Sequence, residues 1–372
     1  MTNNYIIPSL PLPYDLETKT VLKQVNRANR KLAELKGVAL TIPNENILLS
    51  TLTLQEARES SSVENIVTTQ DDLFREDLNM NDIISNAAAK EVLNYRAALQ
   101  KGFSLVKEHH LLTCNIIKQV QAELESNRAG FRTVPGTMLK NSLGEVIYTP
   151  PQDKDDIICM MSNLEAFIND ETLSDLDPLI KLAIVHHQFE SIHPFFDGNG
   201  RTGRIINILM LVMSDLLDLP ILYLSRYITH NKGEYYRLIQ AIRDKQGDNE
   251  HEWEEWILFV LRGIEETATD TIQLIKSIVQ MMAEFKPRLR AVFGKRYSHE
   301  ILNNLFRHPY TKIEFMERDM MSTRQTASKY LDLIVAEGLL TKTKIGKENY
   351  YINDALYNLF LNHGQVKKQA ET

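Results

Sequence analysis

Between His193 and Arg204 the chain reads His-Pro-Phe-Phe-Asp-Gly-Asn-Gly-Arg-Thr-Gly-Arg, and this short stretch holds the side-chain types needed to handle a polyphosphate. Gly198 and Gly200 free the backbone to turn and to approach a ligand closely. The loop runs into an apolar helix, whose first N–H groups lack intrahelical partners and whose dipole favours an anion. Arg201 and Arg204 lie three apart on the first turn and can share a face. Two cations at a bare helix start oppose the dipole, and a bound polyphosphate reverses that penalty. Asp197 stands beside this cradle, suited to Mg2+, which takes one or two carboxylates together with phosphate oxygens. His193 ends the preceding helix, and its usual pKa range lets it take a proton at neutral pH. Base, metal ligand, cradle and charge clamp are the parts of phosphoryl or nucleotidyl transfer, a chemistry of positioning and electrostatic stabilisation.

Other readings of the same residues are weaker. A calcium loop counted from Asp197 needs Gly at its sixth and Glu at its twelfth position, where the chain has Thr202 and Ile208. A zinc site from His186, His187 and His193 has neither HExxH nor a cysteine partner. The plain structural alternative is a Gly-rich helix–helix turn with a chance histidine. His186 and His187 read as packing residues or as supports of the site.

The elements that must position this loop are mostly helical. Asp177-Pro178 is an N-cap followed by proline at the first helical position, predicting a helix through Ile192. Arg201 to Leu219 predicts a second, very apolar helix ending before Pro220. Upstream, Leu16 to Leu35 has helical apolar spacing and is expected to stop at Gly37, with further helices over Thr53–Asn65 and Asp77–Lys101. Between Gly130 and Pro151 the pattern changes to two strand-like runs, FRTVPGTMLK and EVIYT, around Asn-Ser-Leu-Gly, which predicts a hairpin. Helices resume from Asp155, and Tyr235–Ile242, Glu252–Ile264 and Thr269–Arg290 are amphipathic. From about Ser298 a helix over Thr311–Arg318, a longer one over Thr323–Glu337, Gly338 and a strand-like TKTKIGKENYYI around Gly346 predict a winged helix-turn-helix.

The bulk properties bound the function. A chain of 372 residues suggests two or three packed units, and 43% hydrophobic with 24% charged residues is a globular composition. A net charge of -7 and a pI near 5.9 argue against a surface given over to nucleic acid or anionic membrane. Cys114 and Cys159 make no disulfide framework and no CxxC, both are expected to be buried, and a reducing compartment fits. With no signal peptide and no apolar run long enough to span a bilayer, the expectation is a cytoplasmic protein with no membrane contact.

His193, Phe195, Asp197, Gly198, Asn199, Gly200, Arg201 and Arg204 reproduce the signature HxFx(D/E)GNGRxxR without a gap, and on these residues the chain resembles the Fic-domain protein adenylyltransferases. The likeness runs from about residue 100 to 265, and the N-terminal segment resembles the helical extension before many Fic domains. It implies a mainly α fold: a Fic-type helical bundle with a β-hairpin flap, here followed by the winged helix-turn-helix. The implied regions are 1–100, with an inhibitory helix near 55–66, a catalytic core over 101–265, a helical connector over 266–297 and a winged-helix domain over 298–372.

The resemblance also implies transfer of AMP from ATP to a Ser, Thr or Tyr hydroxyl of target proteins, with Mg2+ as cofactor. In that scheme His193 deprotonates the hydroxyl, Asp197 holds the metal, and Asn199 with the Gly198–Gly200 amides steadies the α-phosphate. Arg201 and Arg204 take the distal phosphates, Thr202 and Gly203 complete the ATP-binding loop, and Phe195 anchors it. Val146, Ile147 and Tyr148 correspond to the flap that pairs with the target segment. Tyr235 or Tyr236 lies against adenine, with Tyr235 preferred because adjacent helix residues face different ways. Gly200 leaves the cradle open for AMP transfer, where a lysine would reverse the nucleotide.

Ser60-Ser-Ser-Val-Glu64-Asn65 fits the family's inhibitory motif (S/T)xxxE(G/N). Glu64 is therefore expected to pair with Arg204, to border the ATP site and to keep ATP in an unproductive pose. The plain alternative is a helix start with a dipole-compensating acid. Removal of AMP by the same site is a second possible direction. A DNA-binding regulator is the competing class, resting on the winged helix with Arg324, Lys329, Lys342, Lys344 and Lys347. Seven Lys/Arg against six Asp/Glu between Thr311 and Tyr351 leave only +1 there, which favours a protein partner over nucleic acid. Self-modification and a homodimer are the remaining expected associations.

Overall fold

The computed structural model describes residues 5–77, 87–141, 143–245, 247, 249–345 and 348–363. The chain divides into two units, one made of Met1–Lys36, Thr53–Val67 and Glu91–Thr269, the other of Gly37–Leu52, Thr68–Lys90 and Asp270–Thr372.

In the first unit, an extended entry is held where the Leu10 N–H and C=O bond the Asn163 amide at 2.8 and 2.9 Å. Helix α1, Lys19–Ala39, buries Val21, Val25, Ala28, Leu32 and Leu35, the stripe its apolar spacing predicts. It does not stop at Gly37: nothing crowds that glycine and its φ is ordinary, so the helix runs two residues further. Helix α2 spans Glu45–Val63, beginning well before the expected Thr53. Polar Thr51, Gln55, Glu56 and Ser60 are buried beside Leu52, Leu54 and Ala57, so the helix has no single apolar face for a periodicity to reveal.

The single helix expected over Asp77–Lys101 is instead α3, Gln70–Asp77, and α4, Ala87–His109, with 78–86 outside the described residues. Helix α5, Cys114–Leu124, is capped by Thr113, which accepts from the Ile116 N–H. The hairpin is shorter than the two strand-like runs: β1 is Leu139–Lys140 and β2 is Val146–Tyr148, antiparallel with a bulge. Asn141 Oδ1 takes the N–H groups of Leu143 and Glu145 at 3.0 Å each and closes the turn.

Helix α6, Lys154–Asn169, is capped by Asp153, and α7, Pro178–Ile192, by Asp177 with proline at its first position, as the sequence indicates. Helix α8 is Asn199–Met213, starting before Arg201 and ending before Leu219. Helices α7 and α8 are buried on nearly every face and form the centre of the unit. Helix α9, Leu224–His230, and α10, Lys232–Asp244, follow. The two helices expected over 252–264 and 269–290 are one, α11, Glu250–Phe293, because Glu265 to Ala268 contains no breaker.

The second unit contains α12, His299–Arg307, β3, Tyr310–Lys312, α13, Ile313–Asp319, α14, Arg324–Ala336, β4, Thr341–Ile345, β5, Glu348–Ile352, and α15, Asp354–His363. The sheet order is β3-β5-β4, antiparallel throughout. Thr311 and Lys312, expected to open a helix, lie in β3, and α13 starts at Ile313. Gly346 and Lys347 lie outside the described residues. Cys159 is exposed and Cys114 half-buried, contrary to the expected burial of both. No helix among the described residues is long and apolar enough to cross a membrane.

Candidate functional site

Helix α7 ends when His193 turns left-handed, with φ 49° and ψ 58° while its N–H still reaches Phe189 O at 2.9 Å. A non-glycine residue adopts that conformation at a cost, so the surroundings must hold it. They do: Arg132, fully buried, donates from Nε to His193 O at 2.8 Å. Burial pushes the His193 imidazole down to about 4, helped by the Arg243 and Arg132 guanidinium groups and opposed by Glu64. The ring is therefore neutral through the physiological range, rather than titrating near neutrality, and is available to accept a proton.

The loop after it is braced by its own side chains. Asn199 Oδ1 accepts from the Phe195 N–H at 2.8 Å and its Nδ2 donates to Phe195 O at 2.9 Å, so its amide is committed to shaping the loop. Phe195 is fully buried against Phe131 and Phe189, with ring centroids 5.3 and 6.3 Å away. Gly198, at φ 75°, is the N-cap of α8, and no side chain caps that helix start. Asp197 is exposed, and one of its oxygens accepts the Gly198 N–H at 2.7 Å.

The two arginines are each held by acids. Arg204, 2% exposed, donates to Ser60 Oγ at 2.7 Å, to Ser60 O at 3.0 Å and to Glu64 Oε1 at 2.8 Å. Burial alone would raise the Glu64 carboxyl, but the Arg204 guanidinium overrides it and holds the group below the usual carboxylate range. Glu64 lies in the turn just beyond α2, and a β-carbon on Gly200 would strike its carboxylate, so with glycine there the carboxylate can lie directly over the loop. Next to it Asn65, at φ 63°, accepts from Lys232 Nζ at 2.9 Å. Arg201 donates to Glu91 Oε2 and Glu125 Oε1, both at 3.0 Å. Burial raises the Glu125 carboxyl, with Asp197 adding to the effect against Arg201.

Several residues named from the sequence sit elsewhere. Gly203 faces α7, where an added β-carbon would meet Glu190 Oε1 at 3.0 Å and Phe189 Cδ1 at 3.1 Å, and Thr202 is fully buried. Tyr235 is not the tyrosine open to a ligand: it is 2% exposed, bonded through its hydroxyl to His186 Nε2 at 2.9 Å and packed on Trp256. Tyr236 is 43% exposed, and burial together with the Glu64 carboxylate pushes its hydroxyl up to about 12. In the hairpin Val146 and Ile147 are exposed, whereas the Tyr148 side chain is buried and its hydroxyl donates to Ser191 O at 2.8 Å.

The sequence reading missed Arg132, Arg243, Glu125 and Glu91. Arg132 stands inside an apolar, strand-like run, which is the one signal that could have marked it. The others lie among ordinary amphipathic charges.

Three family models match consecutive parts of the chain: Fic/DOC family N-terminal over residues 22–104, Fic/DOC family over 109–211, and the C-terminal domain of protein adenylyltransferase SoFic-like over 281–356. Among curated relatives, protein adenylyltransferase fic-1 of Caenorhabditis briggsae is 27% identical over 158 residues, 42% of this chain and 28% of that protein. Protein adenylyltransferase Fic of Drosophila erecta is 26% identical over 146 residues, 37% of this chain and 27% of that protein. The match thus spans little more than a quarter of those relatives. Among solved structures, a Fic family protein from Desulfovibrio desulfuricans G20 has a TM-score of 0.57 at 16% identity, covering 91% of this chain and 97% of that one. Fic-1 from C. elegans has a TM-score of 0.53 at 20% identity, covering 69% of this chain and 74% of that one. At these identities the structures speak for the fold.

Proposed function

We propose, from the premise that this chain is a Fic-domain protein, that it transfers AMP from ATP to a Ser, Thr or Tyr hydroxyl of a target protein and that Glu64 restrains it. His193 takes the hydroxyl proton, the hydroxyl oxygen bonds to the α-phosphorus, and the bond from that phosphorus to its bridging oxygen breaks, releasing pyrophosphate. The neutral state of the buried imidazole supports the base role. The uncapped start of α8 offers backbone N–H groups to phosphate oxygens.

A single exposed carboxylate beside that start suits Mg2+, which brings most of its ligands as water and phosphate oxygens, so Asp197 would hold it. When bound, the ion supplies charge neutralisation to the triphosphate. The exposure of Val146 and Ile147 on β2 supports their pairing with an extended target segment.

The observation that carries the restraint is the 2.8 Å pair between Glu64 and the buried Arg204, lying against Gly200. A carboxylate there takes the charge that a distal phosphate needs and fills space above the first turn of α8. Mass spectrometry of the chain and candidate targets after incubation with Mg·ATP tests both parts. Glu64→Gly is expected to raise AMP incorporation by about tenfold or more, the size of a 1.4 kcal/mol bias. Adding His193→Ala should lower it about 100-fold. Equal rates for parent and Glu64→Gly would remove the restraint, and incorporation indifferent to His193 would remove the base.

A further inference from the structure

Arg243 closes the last turn of α10, where it would pass in the sequence for a surface cation. It is 4% exposed; its close contacts are a ring and a hydroxyl, and the buried Glu190 carboxyl acts on it electrostatically. The guanidinium lies 4.0 Å from the centroid of the Tyr148 ring, and its Nε donates to Ser191 Oγ at 3.2 Å. The Tyr148 hydroxyl donates to Ser191 O at 2.8 Å. Strand β2 and helix α10 therefore meet on one residue of α7, two positions before His193. From the other end of the hairpin segment, Arg132 donates to His193 O at 2.8 Å and to Ile192 O at 3.4 Å, and also bonds Pro151 O. Burying a guanidinium is costly even with an acid such as Glu190 in electrostatic reach, so the placement calls for a reason beyond stability.

We propose that Arg243 is a positioning residue for the transfer reaction: by stacking on Tyr148 and bonding Ser191 it sets the hairpin against the last turn of α7 and so fixes its placement relative to the His193 imidazole. The inference rests on the reaction proposed above. It adds a specific electrical consequence. His193 is faced by Arg243 from α10, by Arg132 from the hairpin segment and by Glu64 from the turn after α2, while on its own helix the Glu190 backbone carbonyl takes a hydrogen bond from the ring. The two guanidinium groups disfavour the imidazolium and Glu64 favours it. Loss of the Arg243 charge must therefore raise the His193 pKa, so that the rate falls away at a higher pH on acidification.

The test uses the full chain carrying Glu64→Gly, with Arg243→Gln and Arg243→Lys added separately. Rates are followed between pH 5 and 8, and the His193 ring is titrated by NMR. Arg243→Gln is expected to move the acid limb and the His193 titration up by about one unit and to lower kcat about tenfold, with KM for ATP within about twofold. Arg243→Lys keeps the charge but not the planar stack, so its acid limb should stay while kcat falls. A His193 titration and a kcat unchanged in both variants would overturn the proposal. If Arg243→Gln fails to fold, Arg243→Lys decides through kcat alone: a parental kcat overturns the positioning role. If the Glu64→Gly chain transfers no AMP at all, the reaction reading falls, and the His193 titration still decides for or against Arg243.

Discussion

Tyr235 and Tyr236 are neighbours on α10, yet one is a core residue and the other half-exposed beside the site. Leu238, Ile239 and Ile242 share the buried face with Tyr235; the preference for Tyr235 rested on adjacent residues facing different ways, without asking which of the two faces carries these apolar residues. The buried hydroxyl needs a partner and finds His186, which in turn lies 3.1 Å from Asn207 through its other ring nitrogen. Tyr236→Ala is therefore expected to weaken ATP binding by about 1–3 kcal/mol, the usual worth of stacking a base on an aromatic ring, and to leave stability nearly unchanged. Tyr235→Phe should do the reverse, lowering stability by about 1 kcal/mol with little effect on affinity. Calorimetric titration with ATP and thermal unfolding of both variants check this, and a larger affinity loss for Tyr235→Phe would restore Tyr235 as the base contact. The loop residues from His193 to Arg204 were legible because their chemistry is contiguous. Arg132, Arg243 and Glu125 were not, because only packing distinguishes a buried charge from a solvated one.

At the scale of elements, a cap helped only where it stood before a strong apolar pattern: α7 and α14 were foreseen, whereas α5 and α12, capped by Thr113 and Ser298, were not. Asp177-Pro178 fixes the start of α7 by local hydrogen bonding, whereas α2 buries polar and apolar residues alike over its middle and α11 runs through without a breaker, so the missed ends do not announce themselves. The start of α8 depends on Gly198 for two separate reasons. Its φ of 75° is one that side-chain-bearing residues adopt at a cost of about 1–2 kcal/mol, and an added β-carbon would run into the Glu125 carboxylate. Gly37 is a glycine of the opposite kind, in the interior of α1 with nothing near its missing side chain. Gly198→Ala should thus lower stability by at least about 1 kcal/mol, while Gly37→Ala should leave it equal or raise it by about 0.5–1 kcal/mol. Denaturant unfolding of the two variants measures the contrast. A Gly198→Ala protein as stable as the parent would mean that the α8 start tolerates an ordinary residue and that its geometry is not a requirement of the site.

For the whole molecule, division along the sequence was the least legible feature. Residues 37–52 and 68–90 belong with 270–372, so the N-terminal hundred residues are shared between two units that only long-range contacts define. The helix-turn-helix was visible as a pattern of turns, but its partner is a question of charge. The face of α14 carries Arg324 and Lys329 exposed, while Asp332 next along holds Lys342 at 2.8 Å and so withdraws that lysine. With Lys344 exposed on β4 as a third, these cations can neutralise about three phosphates, for a slope of log K against log salt of about -3, far below that of proteins built to grip duplex DNA. The chain's charge of -7 works in the same direction. The full chain is therefore expected to retard a DNA duplex only in low salt and not at about 150 mM, with Arg324→Gln and Lys329→Gln together flattening what slope there is. A complex that survives about 150 mM salt, with a slope of about -6 or steeper, would make this unit a nucleic-acid reader and move the search for its partner from proteins to DNA.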